Sequence, residues 1–132
     1  MRVKKVWLGV LAVLCCVSSA SCAKGLEMSA EELVSNARQY EGRTVSAVGC
    51  ILAGRHGATF FPCSSRVRGV QIQVESKFEA TKSGQEFMKA LYSAWPPNSS
   101  RVIPAAITGT VKDCKNECVI SIEIFVETKG AD

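Results

Sequence analysis

The chain has 132 residues and a formal net charge of +4 at pH 7. Three of its 16 basic residues and none of its 12 acidic residues lie in the first 22 positions, so the remaining 110 residues carry a net charge of only +1. A body of that size accommodates one domain with a modest core, and its charge gives no argument for binding to nucleic acid.

The first 22 residues have the pattern of an export leader. A basic start precedes the uncharged apolar run 6–17, which is shorter than the roughly 20 residues that a helix needs to span a bilayer. No other segment of the sequence is long and apolar enough to cross a membrane. We therefore expect residues 1–22 to be removed and residues 23–132 to form a single domain, exported from a bacterial cytoplasm.

Two cleavage patterns compete at the end of this leader. Ser19-Ala20-Ser21-Cys22 resembles the lipobox of bacterial lipoproteins, in which Cys22 carries lipid and becomes the new N-terminus. Ser21-Cys22-Ala23 also fits the small-residue rule for ordinary secretion. The lipoprotein is favoured. Because alanine and not aspartate follows Cys22, we expect the periplasmic face of the outer membrane, if the host has two membranes. Without lipid, the product is periplasmic or secreted.

Helix signals come first in the mature part. Ser29 and Glu32 have the spacing of a capping box, and apolar residues recur at helical spacing from Leu33 until Gly42 ends the helix. The stretch 42–54 is rich in β-branched and small residues and predicts a long first strand. We expect that strand to bend at Gly49, where the missing side chain permits a bulge or a barrel corner.

Two shorter strands follow. The glycine-containing connection 55–58 joins the long strand to the strand 59–63 as a β-hairpin. After a polar and basic loop, residues 70–75 alternate strictly, so Val70, Ile72 and Val74 are predicted to face the core.

A second helix is predicted after the third strand. The sequence Ser83-Gly84-Gln85-Glu86 indicates its capping box, and Trp95-Pro96 ends it, because proline disfavours helix in the residue before it. The apolar residues at helical spacing predict its inner stripe, which consists of Phe87, Ala90, Leu91 and Ala94.

The last two strands are 102–112 and 119–127. In the second of them, strict alternation predicts one core-facing set: Ile120, Ile122, Ile124 and Val126. The same alternation predicts a solvated set: Ser121, Glu123 and Glu127.

The predicted order is one helix, three strands, a helix and two strands. A long bent first strand and a helix between the third and fourth strands are typical of the five-stranded OB-fold barrel, a mainly β fold. Residues 37–49 resemble the opening of small bacterial OB-fold proteins called tRNA-anti-like, which run from a helix into Tyr-x-Gly-Lys-x-Val-x-Val-x-Gly. Tyr40 and Gly42 match that pattern, while Arg43 stands for the lysine and Ala47 for a valine. The resemblance implies an OB-like barrel preceded by one helix, and it implies no activity.

Four of the seven cysteines lie in the predicted mature body, an even number that indicates disulfides in an exported chain. If the first hairpin turns about His56-Gly57, Cys50 lies opposite Cys63. If the second turns about Asn116, Cys114 lies opposite Cys118. We predict these two pairs. A metal or redox site is the less favoured alternative, because the spacing fits zinc poorly and Cys-x-x-Cys is absent.

The loops on either side of the second strand, together with that strand, contain the candidate ligand-binding residues. These are Arg55, Arg66, Arg68, Phe60 and Phe61. In OB-folds the face of strands 2 and 3 and the first loop are the usual ligand surface, and basic groups beside aromatic rings suit a polyanion or a sugar. In the alternative interpretation the arginines only solubilise loops, and at least one of the two rings lies in the core.

No catalytic constellation is apparent. His56 is the only histidine, and since no nucleophile or orienting acid is indicated near it, we interpret it as a turn residue. We therefore expect a non-enzymatic module of the cell envelope, without cofactor or metal, that binds another envelope protein or a cell-wall component. The alternative is an OB-type binder of an anionic oligosaccharide or nucleic acid, of which nucleic acid is the less favoured. Membrane contact is expected only through a lipid anchor.

Overall fold

A computed structural model describes residues 25–54, 57–64, 68–93 and 101–128. Its strands are β1 Leu26–Ser29, β2 Thr44–Gly54, β3 Gly57–Phe61, β4 Val70–Gln73, β5 Arg101–Lys112 and β6 Val119–Glu127. Its helices are α1 Ala30–Asn36, continued by the 3-10 turn Ala37–Tyr40, then α2 Ser76–Glu79 and α3 Lys82–Ser93. The predicted leader lies outside the described residues, as do Arg55, His56, Arg66 and Ala94.

Five of the strands close into a barrel. Strand β2 is antiparallel to β3 on one edge and to β5 on the other, β3 is antiparallel to β4, and β5 is antiparallel to β6. A parallel pairing of β4 with β6 completes the circle. The architecture is mainly β, a closed five-stranded mixed barrel in OB-like order, as predicted. An unpredicted extra strand, β1, lies parallel to the first half of β2, with Leu26 beside Val45 and Ser29 beside Val48.

Gly49 lies in the middle of β2, where the neighbour on one edge of this strand changes from β1 to β3. Its pairing with Ala105 of β5 continues without a register shift, so β2 contains no bulge at this point. A Cβ atom at position 49 would lie 2.7 Å from Cζ of Phe60 and 2.8 Å from the carbonyl oxygen of Phe61. The glycine is therefore needed for the close approach of β3. Of the two expected alternatives, a bulge or a barrel corner, the bulge is absent.

Helix α1 begins where the sequence predicts. The Ser29 hydroxyl accepts a hydrogen bond of 3.1 Å from the backbone amide of Glu32, as an N-cap residue does. The Glu32 carboxylate accepts a hydrogen bond of 2.7 Å from the Tyr40 hydroxyl and one of 3.0 Å from the Asn36 side-chain amide. Leu33 is fully buried and fastens the helix to the barrel.

Helix α3 begins at Lys82, two residues earlier than the predicted capping box implies. Thr81 is the capping residue, because its hydroxyl accepts a 2.9 Å hydrogen bond from the amide of Gly84. Ser83 instead binds the edge of β6, accepting 2.6 Å from the Phe125 amide and donating 3.0 Å to its carbonyl. The predicted inner residue Phe87 is fully buried and packs edge-to-face on Phe125, with ring centroids 5.1 Å apart.

A β-bulge divides β6 into two halves. Gly109 pairs with Ile122 and Thr108 pairs with Ile124, so Glu123 is an extra residue in the ladder. Before it, Ile120 and Ile122 face the core as predicted. After it the inward positions change, and Phe125 is buried while Ile124 and Val126 are about half exposed. The prediction that Ile124 and Val126 face the core is therefore wrong.

Ser121, predicted to be solvated, is also buried. Its side chain is only 2% exposed, and its hydroxyl donates a 2.9 Å hydrogen bond to the Glu75 carboxylate. Glu123 and Glu127 are exposed as predicted.

The two predicted disulfides are present, with Cα atoms 5.1 Å apart in Cys50–Cys63 and 4.0 Å apart in Cys114–Cys118. The register that led to the first pair differs from the prediction. Gly54 pairs with Gly57, so the hairpin turns at 55–56 and Cys50 lies opposite Phe61. Cys63 lies two residues after Phe61, beyond the end of β3. Its Cα atom is still close enough to that of Cys50 for a disulfide.

Candidate binding face

Three exposed large apolar side chains lie close together on the outer surface of β2, β5 and β6. Val48 of β2 pairs with Ala106 of β5, which pairs in turn with Val126 of β6. In the next row, Ser46 pairs with Thr108, and Thr108 with Ile124. Val48, Ile124 and Val126 are 65%, 51% and 53% exposed. We call Val48, Ala106, Ile124 and Val126 the apolar face.

Beyond the apolar face, the surface becomes polar along the same strands. The hydroxyl oxygens of Ser46 and Thr108 are 2.7 Å apart, and those of Thr44 and Thr110 are 3.3 Å apart. The Thr110 hydroxyl also donates 2.9 Å to the Glu123 carboxylate. These hydroxyl groups therefore have partners within the sheet, and covering them leaves no lone donor behind.

The apolar face forms the floor of a shallow groove with a volume of about 840 Å³. The lining extends from Glu27 and Met28 of β1, across β2 and β5, to Ile124 and Val126 of β6. Three exposed branched side chains at neighbouring positions make this surface the candidate interaction site among the described residues.

Carboxylates flank the groove. Glu27 lies in the same row as Ser46, because the two residues are paired between β1 and β2. Glu123 lies at the bulge of β6, where its carboxylate accepts the hydrogen bond from Thr110. Both side chains are exposed, and neither of the two salt bridges found among the described residues involves them.

The structure places the sequence-predicted ligand residues differently. Phe60 is fully buried opposite Ile51, and Phe61 is 7% exposed opposite Cys50. Neither ring can stack on a ligand, so the expectation of an exposed phenylalanine is wrong. Arg68 is exposed, and its guanidinium lies 2.8 Å from the Glu117 carboxylate. Arg55 and Arg66 lie outside the described residues.

A second, smaller cleft of about 380 Å³ lies between the 3-10 turn and the Cys114–Cys118 turn. Its main cation, Arg38, donates to the carbonyl of Cys114 and, at 2.6 Å, to that of Asn116. The Glu41 carboxylate accepts 3.1 Å from the Cys114 amide. Both charged groups thus hold the disulfide turn in place, which gives this cleft a structural role.

The perturbed titratable groups also belong to structural contacts. Hydrogen bonds from Ser121 and then Lys112 hold the pKa of the Glu75 carboxyl below its usual value. The hydrogen bond to Glu32 raises the pKa of Tyr40. Among residues 25–54, 57–64, 68–93 and 101–128, no group of three or more histidine, cysteine or acidic side chains could hold a metal ion.

In the same part of the chain, no helix has the length and apolar character required to traverse a bilayer. Comparisons with protein-family models, with curated proteins and with solved structures found no match.

Sequence reasoning missed the apolar face because it assigned Ile124 and Val126 to the interior. One signal was available. Residues 119–126 are apolar at positions of both parities, with Phe125 between two other apolar residues. A strand with one solvated face does not need apolar residues on both sides.

Proposed function

We propose that the protein is a non-enzymatic binding module of the bacterial cell envelope that recognises another envelope component through the apolar face. The observation that carries this proposal is the group of exposed valine and isoleucine side chains on β2 and β6, on either side of Ala106 of β5. The export pattern of residues 1–22 supports an envelope location, with lipid attached at Cys22 and the leader removed. The two disulfides favour an oxidising compartment. Membership of the tRNA-anti-like family is part of the same proposal.

The apolar face alone does not supply enough free energy for a stable complex. Full burial of a valine or isoleucine side chain contributes about 1.5–3 kcal/mol, so covering three half-exposed side chains contributes about 3 kcal/mol. Association costs at least about 4 kcal/mol in lost translational and rotational freedom. The partner must therefore also contact the neighbouring surface, where Leu52 and Val102 are paired and partly exposed.

The alternative, an OB-type binder of an anionic oligosaccharide or nucleic acid, has less support. It needs free arginines beside an exposed aromatic ring. Both Phe60 and Phe61 are buried, and Arg68 is paired with Glu117. No observation on the described residues favours it.

Photo-cross-linking in intact bacteria tests the proposal. A photoreactive amino acid replaces Val48 in one strain and Gln71, an exposed residue of β4 remote from the apolar face, in a control strain. We expect a discrete cross-linked envelope protein from position 48 and none from position 71. Identical products from both positions, or none from either, would contradict the proposal.

Two further measurements separate the alternatives. The complex recovered at position 48 is expected to persist as salt is raised, because apolar contacts are not screened. Polyanion binding through arginines would weaken steeply instead. Mass spectrometry of the native N-terminus determines whether the chain begins at a lipidated Cys22 or at an unmodified residue.

A further inference from the structure

The groove that contains the apolar face extends across four neighbouring strands. Glu27, Ser46, Thr108 and Ile124 occupy one row across these strands. With strands about 4.8 Å apart, this row spans about 14 Å between the backbones of β1 and β6. An α-helix with its side chains is about 10–12 Å wide. One helix can therefore cover most of the row.

The chemistry of the floor suits an apolar occupant. Val48 and Val126 present methyl groups, and the Ser46 and Thr108 hydroxyls are 2.7 Å apart and bonded to each other. A buried hydroxyl is costly only when it lacks a hydrogen-bond partner. An apolar stripe of a partner can therefore cover the valines and the hydroxyl groups without leaving a buried polar group unpaired.

The charges at the edges indicate what flanks that stripe. Glu27 lies on the β1 side and Glu123 lies on the β6 side, and both side chains are exposed. Carboxylates on both sides attract lysine or arginine and repel the phosphates of an anionic lipid surface. A protein segment consequently fits this groove better than a membrane does.

Pairing of an added strand with the free edge of β1 is a weaker alternative. Strand β1 has only four residues, and helix α1 begins immediately after it at Ala30. The ladder available for strand addition is accordingly short, whereas the groove extends across four strands.

We propose that the groove binds an amphipathic helix of an envelope partner, with an apolar stripe on the apolar face and basic residues opposite Glu27 and Glu123. This inference rests on the proposed function and specifies the partner's chemistry. The mode is that of a helix laid in a groove, recognised through apolar anchors at helical spacing.

A designed helical peptide tests the inference. The probe has 18 residues, with leucine on one face and lysine on the other, and a control peptide carries glutamate in place of lysine. Binding of each labelled peptide is measured by fluorescence anisotropy with protein exported to the periplasm as the C22S variant, which has no lipid. We expect the lysine peptide to bind several-fold more tightly than the glutamate peptide.

Variants identify the surface that binds. The double variant Val48→Thr, Val126→Thr removes apolar contact without adding charge or changing side-chain size much. We expect it to weaken binding of the lysine peptide by about tenfold. Glu27→Gln with Glu123→Gln should abolish the preference for lysine over glutamate. The control Gln71→Thr should change neither. Circular dichroism verifies that each variant is folded.

Equal binding of the two peptides, or binding that the threonine double variant leaves unchanged, would overturn the helix proposal. So would binding to vesicles of anionic lipid that exceeds binding to the lysine peptide. These failures are distinct from failure of the proposed function. If Val48 cross-links to an envelope protein in cells through a segment that is not a basic amphipathic helix, the binding module stands and this inference does not.

Discussion

The most informative substitution in the barrel is Gly49→Ala. A Cβ atom at this position would lie 2.7 Å from the ring of Phe60, 2.8 Å from the carbonyl oxygen of Phe61 and 3.0 Å from Cβ of Ala30. Phe60 is fully buried and cannot swing into solvent. The Phe61 carbonyl belongs to the strand that pairs with β2, so it cannot withdraw without loss of the pairing. The added methyl group must therefore strain β2, β3 or α1.

The expected magnitude follows from two opposing terms. Inserting a methyl group into a packed core costs about 1–3 kcal/mol, and three tight contacts place this site near the upper end. Alanine restricts the unfolded chain more than glycine does, which offsets about 0.4–1 kcal/mol. We expect a net loss of about 2 kcal/mol in the free energy of unfolding.

A matched control lies five residues along the same strand. A Cβ atom at Gly54 would meet nothing within 4 Å. Gly54→Ala therefore retains only the favourable term and should be neutral or slightly stabilising. The two variants should differ by roughly 2–3 kcal/mol in urea unfolding followed by circular dichroism, with disulfides intact. If Gly49→Ala is as stable as Gly54→Ala, the close approach of β3 to β2 is not real and the account of the barrel fails.

Three further predictions concern the core, the disulfides and the response to pH. Phe87→Ala should lower the free energy of unfolding by about 3–5 kcal/mol, because the ring is fully buried. Thermal unfolding measures this loss, and a loss no larger than that of a substitution at an exposed position would contradict the prediction. Replacing both Cys50 and Cys63 by serine should cost about 3 kcal/mol, since the bridge spans a separation of 13 residues. Urea unfolding measures this cost, and the bridge of separation 4 should contribute less, about 2 kcal/mol. Because the pKa of Glu75 is lowered in the folded state, its contribution is complete above the ordinary value of 4.5 and is lost as the pH falls through the folded value. Glu75→Gln should therefore flatten the acid limb of the stability profile, and an unchanged limb would show that the contact with Ser121 contributes nothing.

Much of the fold is accessible from local sequence patterns. Alternation in 70–75 places Val70 and Ile72 inside, and helical spacing places Phe87 inside, because each pattern has a single period over its own element. The disulfide pairs follow from hairpins whose two sides are close in sequence. The pairing register differs from the predicted one by two residues, yet the Cα atoms of Cys50 and Cys63 are 5.1 Å apart, which is within the range of a disulfide.

The rest depends on contacts between distant segments. Both Thr81 and Ser83 can cap α3, and the choice is made by β6, whose Phe125 backbone binds the Ser83 hydroxyl. Strand β1 alternates over only four residues, Leu26 to Ser29, which is too short a run to indicate a strand by itself, and it is held in place by β2. The candidate face could not be predicted because its exposure is decided by the pairing of β6 with Gly109, not by β6 itself.

The extra residue at Glu123 acts like a frameshift within the strand, since every side chain after it changes sides. It sends Phe125 to the core and Ile124 and Val126 to the surface, so one inserted position determines both the packing under α3 and the composition of the groove. A substitution of Glu123 would leave the register of β6 unchanged, whereas its deletion would exchange the two sets of residues. During evolution, this barrel could therefore gain or lose its apolar groove through a single codon insertion or deletion, with no change in any apolar residue.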